Sequence, residues 1–118
     1  MLVVSVTLAA CGGEPDPPPS ERDIARIGSA LGGIVLECES VAAGFVAEPD
    51  RALLERGVEA LIAVFDRVSP DAGYTAGTDP GPTRRTTARD ELRLAQRTLA
   101  PCEPLLAERI DRAVAREE

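Results

Sequence analysis

Ile24, Ile27, Leu31, Ile34, Cys38, Val41 and Phe45 recur at alternating intervals of three and four residues, the repeat of one face of an α-helix. Ser20 stands before this stripe as a capping residue, with Glu21 and Asp23 in the first turn where a helix favours negative charge. The pattern predicts a first helix over about 21–47. It restarts after Pro49 and Asp50, where Leu54, Val58, Leu61, Phe65 and Val68 predict a second helix over about 50–68. The short connection makes these two helices an antiparallel hairpin. Residues 69–83, SPDAGYTAGTDPGPT, hold three prolines and three glycines and read as a long, mobile loop. Thr87-Ala88-Arg89-Asp90 opens a third helix with Leu92, Ala95 and Leu99 inside. Pro101 and Pro104 then impose a break, because a proline inside a helix removes a hydrogen bond and clashes with the preceding turn. A fourth helix over about 104–116 turns Leu105, Leu106, Ile110 and Ala113/Val114 inward. The expected fold is all-α, a small three- to four-helix bundle.

The stretch 27–36, IGSALGGIVL, is uncharged, and Val35 and Leu36 lie off the main stripe. Gly28, Gly32 and Gly33 each weaken a helix by up to about 1 kcal/mol relative to alanine. Close approach of a neighbouring helix is the expected compensation. The uncharged run is about half of what a bilayer span requires.

Composition narrows the picture. The 118-residue chain suits one domain. Its apolar fraction is 44%, with two Phe, one Tyr and no Trp, so the core is aliphatic and suits packed helices. The net charge of −7 repels phosphate backbones and argues against nucleic acid as a partner. All 13 basic residues are Arg, and His is absent. The commonest general base and metal ligand is therefore missing. So is the lysine of Schiff bases, Ser–Lys hydrolases and phosphate-binding loops.

The first ten residues, MLVVSVTLAA, are apolar, too short to span a bilayer, and end in small residues before Cys11. The order Leu8-Ala9-Ala10-Cys11-Gly12 resembles the lipobox of bacterial lipoproteins. That resemblance covers residues 1–11 only. It implies a signal peptide over 1–10, cleavage before Cys11 and acylation of the Cys11 thiol. A charged segment before the apolar run is absent, which is consistent with a true start upstream of Met1. CGGEPDPPPS follows as an extended, solvated tether over 11–20, reaching roughly 30 Å at most. The resemblance thus implies an exported domain over 21–118, held to the outer face of the bacterial cell membrane, or to a periplasmic face in a two-membrane host.

With Cys11 acylated, Cys38 and Cys102 remain, and an even pair in an oxidising compartment forms a disulfide. The bridge would close a loop of about 65 residues, for which the chain-entropy argument gives roughly 4 kcal/mol. No metal site is expected, since the chain lacks His and any CxxC pair.

Arg85, Arg89, Arg93 and Arg97 recur every four residues, with Arg84 adjacent, as a basic ridge on the third helix. Such a ridge either pairs with acids on neighbouring helices, such as Glu55, Glu59 or Asp66 of the second, or docks an anionic partner, whether lipid headgroup, wall polymer or acidic protein. Tyr74, in the loop, is a candidate aromatic anchor for the same partner. Glu37/Glu39 and Glu55/Glu59 are pairs expected by chance in a chain with 12 Glu, Asp71 and Asp79 lack calcium-loop spacing, and no nucleophile motif occurs. The sequence therefore favours a non-enzymatic, lipid-anchored binding module without a cofactor. A carrier of a small apolar ligand, and less so a carboxylate-dependent hydrolase, are the alternatives.

Overall fold

The computed structural model describes residues 16–77 and 81–117. Its elements run α1 (Glu21–Ala42), α2 (Arg51–Phe65), β1 (Tyr74–Gly77), β2 (Thr83–Thr86), α3 (Ala88–Leu99) and α4 (Pro104–Ala115). The leader, Cys11 and the rest of the proposed tether up to residue 15 lie outside the described residues.

The helix starts follow local chemistry. Ser20 Oγ accepts from the Asp23 amide at 3.1 Å, and Asp50 Oδ1 accepts from the Leu53 amide at 3.2 Å. Thr87 Oγ1 accepts from the Asp90 amide at 3.1 Å, and α4 begins on Pro104. α1 stops at Ala42, five residues before the sequence-based boundary. Gly44 adopts a left-handed φ of 82°, its amide donates to Val41 O, and the Phe45 amide donates to Ser40 O. That is a Schellman cap, which ends a helix wherever glycine supplies the left-handed residue. Phe45 is thereby thrown out of the stripe and is 83% exposed.

α1 and α2 are antiparallel. Arg67, just past α2, pairs with Asp23 at the start of α1 at 2.8 Å, while the Asp50 amide before α2 donates to Glu37 near the end of α1. α3 packs on α1 and α4, and α4 also packs on α2. The core is aliphatic as expected, with Ile27, Ile34, Leu54, Leu61, Leu92 and Ile110 fully buried around Phe65. Cys38 on α1 and Cys102 in the α3–α4 turn form a disulfide with Cα atoms 5.6 Å apart. The turn over 100–103 contains Pro101, and Pro104 opens the next helix, as their chemistry requires.

Two expectations are corrected. The segment expected as loop over 69–83 carries a strand at Tyr74–Gly77 and the start of a second at Thr83, and the fold is not purely helical. Tyr74–Gly77 pairs antiparallel with Thr83–Thr86, joining Tyr74 to Thr86 and Gly77 to Thr83. Tyr and Thr favour extended backbone, and Gly77 takes a φ of 114° at the turn. The glycines of α1 do not receive a neighbouring helix either: among the described residues, a Cβ at Gly28, Gly32 or Gly33 would meet nothing within 4 Å. The close approach belongs to Gly57 on α2, whose missing Cβ would lie 3.1 Å from Ile34 Cγ1 and 3.4 Å from Ala30 O.

Candidate functional site

Because a Cβ at Gly28 or Gly32 would meet no described residue within 4 Å, one face of α1 is open alongside the β-hairpin. Two recesses lie there, of about 620 and 760 Å³. They meet at Gly28, Ala76, Gly77 and Glu91, which line both. α1 forms one wall, β1 with the start of β2 forms the other, and Glu91 and Leu94 of α3 contribute from below. The α1 wall runs from Glu21 to Glu39, about 27 Å at 1.5 Å per residue. Most of what lies between those two carboxylates is apolar, including Ile24, Leu31, Val35 and Leu36.

The polar centre of this groove is built by the hairpin and α3. Glu91 is 3% exposed. Arg84 Nη2 donates to its Oε1 at 2.8 Å, and Thr86 Oγ1 donates to its Oε2 at 3.2 Å. The carboxylate holds the Arg84 guanidinium above its ordinary pKa, chiefly through that hydrogen bond. Beside this pair stands Tyr74, 4% exposed, whose hydroxyl is buried and hydrogen-bonds to no protein group among the described residues. Burial first, and the negative charge of Glu91 second, push its pKa up to about 12. A buried hydroxyl without a partner costs about 1–3 kcal/mol.

The residues singled out from sequence fall elsewhere than expected. Tyr74 is not an exposed loop anchor; it begins β1 with its ring in the core. Arg85 is not on the helical ridge but on β2, where its guanidinium reaches Thr75 Oγ1 at 3.4 Å. Arg89 is engaged by Asp71 through two bonds of 2.8 and 3.1 Å and lies 6.0 Å from the Phe65 ring centre. The Arg89 guanidinium holds the Asp71 carboxyl below its usual value. Arg93 binds Asp111 of α4 at 2.8 Å and Gln96 at 2.7 Å. Arg97 sits in the last turn of α3, where positive charge suits the helix dipole.

Asp71 thus engages the ridge at Arg89, and Asp111, on the neighbouring α4, engages it at Arg93. The α2 acids face other arginines: Glu55 with Arg51, Glu59 with Arg109 and Asp66 with Arg116. Among the described residues, no group of three or more Cys, Asp and Glu side chains is placed to hold a metal ion. No described helix is long and apolar enough to cross a membrane.

Sequence reasoning missed Glu91. Its position carried a signal, since it lies three residues after Ala88 and four before Ala95, on the buried side of α3. Comparison with known proteins returned no match to this chain, whether a protein family, a curated protein or a solved structure.

Proposed function

We propose that this chain is a lipid-anchored, non-enzymatic binding module of the bacterial cell envelope, and that the groove between α1 and the hairpin is where it binds. Leu8-Ala9-Ala10-Cys11 and the proline-rich tether support export and acylation. The Cys38–Cys102 bridge fits an oxidising compartment. On this reading the four helices form a disulfide-stapled bundle that presents the groove near the membrane surface.

The observation that carries the binding proposal is the open glycine face of α1, over an apolar groove with a single polar cluster at its centre. Ligand sites are concave, mostly apolar and furnished with few polar groups. Docking of an anionic partner on the α3 ridge is the weaker reading, because Arg89 and Arg93 would first have to leave Asp71 and Asp111. Two measurements test the proposal. Alkyne-palmitate labelling in a bacterial host should mark the wild-type chain and not Cys11→Ser. Envelope lipid extracts passed over the immobilised chain should leave bound small molecules, seen by mass spectrometry, that are lost in Gly28→Leu/Gly32→Leu. Labelling of Cys11→Ser, or equal retention by both chains, would overturn the corresponding half.

A further inference from the structure

We infer that the groove takes a neutral amphiphile, an aliphatic chain carrying an uncharged ester or amide carbonyl, with the carbonyl accepting a hydrogen bond from the buried Tyr74 hydroxyl. The inference rests on the groove being a binding site and adds the chemistry of its ligand.

The charges in the groove discriminate among head groups. Glu21 and Glu39 line its two ends, and Glu91 lies at its centre. Arg84 is the one cation among these side chains, and Glu91 already neutralises it at 2.8 Å. A carboxylate or phosphate head would meet a like charge at either end and an already paired cation at the centre. A quaternary cation would gain at the ends, but it carries no acceptor for a hydroxyl proton. Among the described residues the Tyr74 hydroxyl has no hydrogen-bond partner, and it is flanked by an ion pair that is internally satisfied. A neutral carbonyl supplies what the hydroxyl needs and disturbs neither charge. The long Arg84 side chain, about half exposed, is the flexible element beside the hydroxyl. Open space above Gly28 and Gly32 gives an aliphatic chain room against Leu31 and Val35 without moving the backbone.

The test uses the full oxidised chain with Cys11→Ser, so that no attached lipid competes. The neutral fluorophore N-phenyl-1-naphthylamine reports occupancy. It is displaced by three twelve-carbon amphiphiles below their micelle concentrations: monolauroylglycerol, laurate and dodecyltrimethylammonium. The expected result is displacement by monolauroylglycerol at concentrations at least tenfold lower than either charged compound. Tyr74→Phe should weaken monolauroylglycerol about fivefold, the equivalent of one neutral hydrogen bond, and leave the fluorophore affinity unchanged. Gly28→Leu/Gly32→Leu should abolish both; these are open helical positions where leucine favours the helix, and circular dichroism checks that the fold persists. If the fluorophore binds and is lost in the double variant, but the three heads displace it equally, a charged head wins, or Tyr74→Phe changes nothing, the ligand class proposed here is wrong and the groove proposal stands. If the fluorophore does not bind, or binds the double variant equally, both fall.

Discussion

Arg84 and Glu91 form an ion pair at 2.8 Å between unequal partners: the carboxylate side chain is 3% exposed, the guanidinium side chain 52%. The buried partner depends on the exposed one. Arg84→Ala leaves Glu91 with Thr86 alone and should cost about 1–3 kcal/mol. Glu91→Gln retains an acceptor for Thr86 and removes the buried charge, so it should cost less. Urea unfolding of the two variants checks the order, and equal midpoints would show that Arg84 does not hold the carboxylate.

Tyr74 should titrate far above an ordinary tyrosine, with its midpoint near pH 12. It is the chain's only tyrosine and there is no tryptophan, so absorbance at 295 nm reports it without interference. Its folded pKa lies above its unfolded value of 10.0. The stability it contributes is therefore complete below pH 10 and is lost as pH rises toward 12, by about 2–3 kcal/mol. Tyr74→Phe should flatten that part of the stability profile. A midpoint near 10 in the folded chain would contradict the burial described.

At acid pH the sign reverses. Hydrogen bonding from Arg67 first, against some opposing desolvation, holds the Asp23 carboxyl below its usual 3.8. Its contribution is present above that value and disappears as pH falls through the lower folded pKa. An exposed arginine partner limits the effect to about 0.5–1 kcal/mol. Asp23→Asn should remove it, also at neutral pH, and melting temperatures at pH 7 and pH 3 would separate wild type from variant.

The glycines should divide by sign. Gly28→Ala and Gly32→Ala enter open helical positions and should each stabilise by up to about 1 kcal/mol. Gly57→Val should destabilise, because its Cβ falls within 3.1–3.2 Å of the Ile34 side chain and branching adds further bulk. Thermal melts of the three variants decide this. Stabilisation by Gly57→Val would mean that α1 and α2 are less closely packed there.

Loss of the bridge, by Cys38→Ser with Cys102→Ser, should cost about 2–4 kcal/mol through the freed loop. Urea midpoints of the double variant and of the oxidised wild type give the difference directly.

The helices were legible because their signals are local and repeated. The stripe from Ile24 to Cys38, the caps at Ser20 and Thr87, and the proline pair at 101 and 104 each state their own geometry. The disulfide was legible from cysteine arithmetic together with the inward position of Cys38. The hairpin was not, since strands of four residues carry too few alternations to outweigh the surrounding prolines and glycines. The groove escaped for another reason. Glycines at 28 and 32 can mark either a close neighbour or an open face, and only the placement of Tyr74–Gly77 beside α1 decides between them. The arginine ridge shows the complementary difficulty: its spacing was visible, but its partners at Asp71 and Asp111 are 18 residues away from Arg89 and Arg93 respectively.

The Cys38–Cys102 link encloses the hairpin within its covalent ring. A protease that cuts the tip between Gly77 and Thr83 would yield two polypeptides that remain one molecule, α1 and α2 on one side and α3 and α4 on the other. Such a nicked form would migrate as intact protein until a thiol reagent released the fragments.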